Sequence, residues 1–141
     1  MAPNEKGMIM MACAEKFGAG AVRNILRHNR REIEHSSNHD IDPKRLERDY
    51  ILSPDRGMTE YDYFLQRKSE LYCYNRNDVK VMVGWIVTAP QDLDPERYDN
   101  FFYATYNFLA NRYGEENVVQ AIVHDDEGGQ PHLHFCFVPV V

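Results

Sequence analysis

Cysteine is scarce in this chain, and its spacing is unpaired: Cys13, Cys73 and Cys136 make an odd set of three. Such a set supplies neither a disulfide framework nor a thiolate-rich structural zinc site, and it reads as reduced thiols in a cytoplasmic protein. Long apolar runs are also missing. No stretch approaches the roughly 18 uncharged apolar residues that cross a bilayer, so no membrane contact is expected. The amino terminus lacks the basic-then-apolar layout of a secretory signal. Positive charge is in deficit, with 16 Lys and Arg against 22 Asp and Glu, a net charge of −6. That balance excludes a protein that coats nucleic acid indiscriminately. The deficit is uneven, however. Residues 1–56 hold ten basic and nine acidic residues, net +1, whereas residues 57–141 hold six and thirteen, net −7. A basic surface can therefore form only from the first part of the chain.

What is present is enough for one domain, residues 1–141, with 43% apolar residues for a core. The continuous apolar run at 8–14 predicts a central strand buried on both faces. Residues 19–34 predict a helix, with Val22, Ile25, Leu26 and Ile33 on one face. Arg23, Arg27, Arg30 and Arg31 lie roughly opposite, and His28 lies at the border. Four arginines in nine residues are the densest positive charge available for a phosphate backbone, although an arginine face is often simply solvated. Residues 35–47, rich in Ser, Asn, Asp and Pro, read as a loop.

A short strand follows at 48–53. Thr59, with Asp62 three residues on, predicts an N-cap for a helix running to about Tyr72, with Phe64, Leu65, Lys68 and Leu71 along one side. Residues 81–88, β-branched and bearing the single Trp, give the strongest strand signal. Asp94 and Pro95 open a third helix, Gly114 ends it, and Tyr98, Phe101, Phe102, Thr105, Phe108 and Leu109 form its expected buried stripe. Strands at 117–124 and 131–140 complete a β-α-β-α-β-α-β-β order. The last two pair as a hairpin, and Leu133, Phe135 and Phe137 should face a helix. The expected class is α+β: a largely antiparallel sheet with helices on one face and the site on the other.

The chemistry concentrates between residues 124 and 134, where three of the six histidines fall. His132 and His134 are two apart, so on a strand they share a face. His124 ends the preceding apolar run. A hairpin closed by the polar, Gly-rich turn between them brings all three imidazoles together. Three imidazoles cap one divalent ion and leave its remaining positions open, as a catalytic site requires. Two histidines on a strand are commonly ordinary half-buried residues. The third, with three acids in the connecting turn, favours a metal site. Imidazole donors alone leave zinc, nickel, cobalt and manganese all open.

A His–hydrophobe–His pair on a strand, preceded by an acidic turn and another histidine, resembles the HUH endonucleases, which nick and join single-stranded DNA. Within that group the match sharpens. His28-Asn29-Arg30-Arg31, followed by His35-Ser36-Ser37-Asn38-His39-Asp40-Ile41, resembles the first motif of the MobV-type relaxases, the Mob/Pre plasmid mobilisation and recombination enzymes. Trp85-Ile86-Val87-Thr88, and His124-x-Asp126-Glu127 with Pro131-His132-Leu133-His134, are similar to their later motifs in the same order. The resemblance covers about residues 8–140.

That resemblance implies an HUH relaxase fold with a ferredoxin-like palm, acting on single-stranded origin-of-transfer DNA. It implies His124, His132 and His134 as ligands of manganese or magnesium. His28 would be the nucleophile that takes the DNA 5′ phosphate. Glu127 or Asp126 would orient His28 or a ligand imidazole. Arg31 and Asn38 would hold DNA, joined by Arg23 and Arg27 of the helix and by Lys44 and Arg45 of the loop. Two departures stand out. The turn Gly128-Gly129-Gln130 is one residue longer than the family's pattern, and the family continues past this chain's end. A truncated catalytic domain is therefore expected, without the helical tail through which such enzymes form homodimers. Two other readings compete: a non-catalytic DNA-binding remnant, and a three-histidine hydrolase or oxygenase acting on a small molecule.

Overall fold

The computed structural model describes residues 12–30, 49–71, 79–125 and 129–140. Five strands form one sheet in the order β1-β3-β5-β4-β2, where β1 is Ala12–Gly18, β2 Tyr50–Ile51, β3 Lys80–Thr88, β4 Val118–His124 and β5 His132–Phe137. Every pairing is antiparallel. The helices are α1 (Ala19–Asn29), α2 (Glu60–Ser69) and α3 (Tyr98–Tyr113). No described helix is long and apolar enough to cross a membrane.

The helix boundaries follow from local chemistry. Thr59 caps α2, its hydroxyl accepting from the Asp62 amide at 3.0 Å. Asp94 accepts from the Glu96 amide at 3.1 Å, and Pro95 opens a short 3₁₀ turn that leads into α3. Gly114 ends α3 at φ +93°, a left-handed conformation that a residue with a Cβ enters only with strain.

The antiparallel α+β class is as expected, but the helices do not share one face. Helix α3 packs Phe102, Tyr106, Leu109 and Ala110 on Leu133, Phe135, Phe137, Ala121 and Val123. Helices α1 and α2 cover the opposite face, with Val22, Leu26 and Phe64 against Met82, Val119, Cys136 and Val138. The candidate site shares this second face with them. Alternation on β5 turns His132 and His134 away from the α3 core that holds Leu133, Phe135 and Phe137, and β4 matches them through a register shift between Val118 and Gln120. Val118 belongs to the α3 core, and strict alternation would send Gln120, Ile122 and His124 there too. The extra residue turns all three to the other face.

Two further expectations are corrected. The first strand runs over Ala12–Gly18 and lies at the sheet edge, largely exposed, rather than at the centre over 8–14. Glu15 and Lys16 need water, which an edge provides and a centre does not. Of the expected span, residues 8–11 lie outside the described residues. Phe17 folds back over β3 because Gly84 leaves room: a Cβ there would sit 3.1 Å from the Phe17 ring. On α3, Phe108 is 65% exposed, and Tyr106 takes the core position instead. The buried row is therefore 102-106-109-110, with Tyr98 and Phe101 partly buried against the same core and only Phe108 of the expected stripe turned to solvent. The first helix ends at Asn29, where the Arg30 amide closes the last turn on the Leu26 carbonyl at 3.2 Å. Residues 31–34 of its expected span lie outside the described residues.

Candidate active site

The β4–β5 hairpin assembles the three histidines from eleven residues of chain. His124 lies opposite His132 in the register, and His134 lies opposite Ile122, one step along on the same face. The ring centroids are 4.5 Å apart for His124 and His134, 4.9 Å for His132 and His134, and 5.5 Å for His124 and His132. One nitrogen from each ring lies within 4.8 Å of the others. Bonds of about 2.0–2.1 Å at the tetrahedral angle place two nitrogens about 3.4 Å apart. Closing the set therefore takes an approach of about 1.4 Å between the most distant pair, shared between two rings. His124 is 1% exposed, and its two partners are half-buried. The site is thus walled on one side and open on the other.

Both ends of the connecting turn are held. The Asp125 amide donates to Asp49 Oδ1 at 2.9 Å. Gln130 Nε2 donates to the Pro90 carbonyl at 3.0 Å and to the Tyr98 hydroxyl at 3.2 Å, while the Ala89 amide donates to the Pro131 carbonyl at 3.0 Å. The three imidazoles are thereby set on a framed hairpin rather than on a loose loop.

His124 Nε2 lies 2.6 Å from the backbone carbonyl of Asn29, the last residue of α1. A carbonyl only accepts, so in this arrangement Nε2 carries the proton and Nδ1 is the ring atom whose lone pair can meet a cation. A ligand histidine anchored through its second nitrogen to a main-chain carbonyl is the usual second contact of a metal-binding imidazole. The contact also brings α1 to the site. His28, half-buried, is the neighbour of the residue that touches His124.

Of the other expected site residues, Arg23 and Arg27 are exposed on α1 and line a cleft of 590 Å³ against the start of α2, together with Arg30 and Tyr61. Arg23 lies 5.7 Å over the Tyr61 ring. Helical rotation puts His28 on the other flank of α1 from this cleft. Arg31, Asn38, Lys44, Arg45, Asp126 and Glu127 lie outside the described residues.

Three other candidates among the described residues are engaged elsewhere. The Tyr63 hydroxyl donates to the Glu116 carbonyl and receives Arg56. The Tyr50 hydroxyl donates to Asp99 at 2.8 Å, and burial followed by that carboxylate raises its pKa far above the usual phenol range. Cys136 shares the histidine face, but its sulfur accepts from Asn29 Nδ2 at 3.8 Å rather than joining the three converging imidazoles, and burial pushes its thiol up to about 12.

Two polar residues at this site escaped the sequence reading. Gln120 is fully buried and Asn29 is 2% exposed, and the two are bonded side chain to side chain at 2.9 Å. A lone Gln inside the otherwise apolar run 118–123 was the available signal. Asn29 carried none beyond its place beside His28.

Comparison with known proteins agrees with this geometry. The family model for the plasmid recombination enzymes (Mob_Pre) matches residues 7–141. A plasmid recombination enzyme of Streptococcus agalactiae is 34% identical over 139 residues, covering 92% of this chain and 28% of that protein. The type 1 enzyme of Staphylococcus aureus is 34% identical over 138 residues, covering 93% and 34%. This chain thus spans about a third or less of those relatives' length. Among solved structures, the MobM relaxase domain, bound to manganese and to plasmid pMV158 oriT DNA, superposes with a TM-score of 0.78 at 34% identity. That match covers 92% of this chain and 70% of the other.

Proposed function

This chain belongs to the plasmid recombination enzyme (Mob/Pre) family of MobV-type relaxases, and we propose that it carries their strand-nicking chemistry. In this reading it binds single-stranded DNA from a plasmid transfer origin, cuts one phosphodiester and holds the 5′ end until the strand is rejoined. The observation that carries the proposal is the docking of α1 on the three-histidine hairpin through the Asn29 carbonyl and His124, which supports a role for the adjacent residue, His28.

His124, His132 and His134 fit a divalent ion by donor type, spacing and one-sided burial. When bound, such an ion, manganese or magnesium in this family, supplies Lewis-acid stabilisation of charge on the phosphoryl oxygens. The remaining work falls to the chain's own groups. An imidazole nitrogen of His28 attacks the scissile phosphorus, a P–N bond forms, and the P–O3′ bond breaks. The 3′ oxygen leaves and takes up a proton, and the 5′ phosphoryl stays on His28 as a phosphoramidate. The second His28 nitrogen needs an acceptor that fixes the tautomer, a role for the Glu127 or Asp126 carboxylate. Reversal by a 3′ hydroxyl reseals the strand without ATP, because the bond energy is kept in the adduct. Arg23 and Arg27 offer the flanking strand two exposed guanidinium groups, with Arg31, Asn38, Lys44 and Arg45 as further contacts.

The test is adduct formation on a 3′-labelled or plasmid-borne origin from the replicon that encodes the chain, with manganese present. Native protein should yield a 5′-linked, acid-labile and alkali-stable adduct that disappears in His28→Ala. A full adduct yield in His28→Ala would end the nucleophile assignment. Salt-sensitive binding without any cleavage would instead mark the chain as a DNA-binding remnant.

A further inference from the structure

A buried chain of hydrogen bonds ties the last turn of α1 to the sheet, and the function just described does not use it. Gln120 lies on β4 four residues before His124 and, with the bulge behind it, on the same face. Its amide is spent in three directions. Oε1 accepts from Asn29 Nδ2 at 2.9 Å, while Nε2 donates to the Leu26 carbonyl at 3.0 Å and to Glu60 Oε1 at 2.7 Å. Glu60 is held from outside by Arg30, whose Nε and Nη2 reach its two carboxylate oxygens at 3.0 and 3.1 Å. Asn29 is therefore gripped at side chain and backbone. Its Nδ2 donates to Gln120 Oε1 and, at 3.8 Å, to Cys136 Sγ, and its backbone carbonyl receives His124.

This network is a poor device for stability alone. Asn29 Oδ1 is buried with no hydrogen-bond partner among the described residues, and an apolar pair of similar volume would pack here without that cost. Its distinctive product is position. Leu26 and Asn29 stand one turn apart, so holding both fixes the rotation and the height of α1's last turn. That turn presents the Asn29 carbonyl to a ligand imidazole and carries His28 as the preceding residue.

We propose that Gln120 is a positioning residue. Acting through Asn29 and braced by Glu60 and Arg30, it sets the end of α1 against the three-histidine site, orienting His124 for the cation and His28 for the phosphate. The His28 half of this statement rests on the nucleophile reading above. The His124 half does not.

The experiment uses the full chain and manganese ion alone as probe, with free Mn²⁺ read by its paramagnetic resonance signal. Gln120→Met keeps length and bulk but neither donates nor accepts as an amide. Asn29→Ala removes only the side-chain clamp and favours the helix. Both should weaken Mn²⁺ binding about 10-fold, the scale on which contacts behind a ligand histidine act. Phe64→Leu, a core change on the same face outside the network, should bind Mn²⁺ like the native protein. With Mn²⁺ saturating, Gln120→Met should also slow single-turnover adduct formation about 10-fold at unchanged oligonucleotide affinity, because a misplaced nucleophile lowers the rate and not the binding.

Weaker Mn²⁺ binding with an unchanged saturated rate would support the His124 coupling and count against His28 as the nucleophile. Native Mn²⁺ affinity in folded Gln120→Met and Asn29→Ala would overturn the proposal, as would an equal loss in Phe64→Leu. Should Gln120→Met fail to fold, Asn29→Ala decides alone by the same criteria.

Discussion

Divalent metal should raise the melting temperature of this protein, and by an amount the hairpin geometry sets. The three ligand nitrogens already lie within 4.8 Å of one another in the folded chain. Unfolding separates β4 from β5 and disperses them, so the ion binds the native state and hardly the unfolded one. At a free metal concentration 100 times the dissociation constant, that difference is worth about 2.7 kcal/mol. For a domain of this size about 1 kcal/mol moves the midpoint by roughly 3–4 °C, so the expected rise is on the order of 10 °C. Dye-monitored melting with and without excess metal, and again after chelation, measures it.

His132→Ala and His134→Ala should each abolish most of the rise, since two imidazoles no longer cap the ion. A full shift in either alanine variant would mean that the ion sits elsewhere, and no shift with any of manganese, cobalt or zinc would refute the site.

Two further outcomes test the packing. Phe135, fully buried between Tyr106 and Phe137, should cost about 3–5 kcal/mol when replaced by Ala, whereas exposed Phe108→Ala should stay within about 0.5 kcal/mol in urea unfolding. A large cost at Phe108 would return that residue to the core. The Cys136 thiol is held protonated up to about 12, against an ordinary value of 9.0. Between those limits the folded state keeps a proton that the unfolded state has lost, so its contribution is whole below pH 9 and drains as pH rises, by up to about 1.4 kcal/mol per pH unit. Comparing native and Cys136→Ala midpoints at pH 8 and pH 10 should show the steeper fall in the native chain. Parallel lines would place the thiol in water.

The metal half of the site was legible because it is local. Period-two placement of His132 and His134, a turn, and His124 at the end of an apolar run determine a geometry that eleven residues can build unaided. Helix ends were legible at Thr59, Asp94, Pro95 and Gly114, where a single side chain or a positive φ decides the boundary. What failed depended on neighbours distant in sequence. An apolar run near Ala12 says that a strand forms, but not whether one or two strands flank it. The sides of the sheet taken by Val118 and Gln120 hung on one bulged residue in β4, which composition does not announce. On α3 two rows of aromatics competed for the core, and only the shape of the sheet beneath chose Tyr106 over Phe108.

The two halves of the site also differ in what it takes to make them. The three imidazoles come from adjoining strands of one hairpin, whereas the Asn29 carbonyl that meets His124 arrives from 95 residues away. The first half can exist as soon as a turn closes; the second exists only while a helix stays seated. Under the function proposed above, anything that unseats α1, whether heat, a denaturant or a partner competing for its surface, would leave a species that holds metal more weakly and no longer presents His28. In that reading, strand cutting is conditional on a long-range joint, while the gathering of the imidazoles is not.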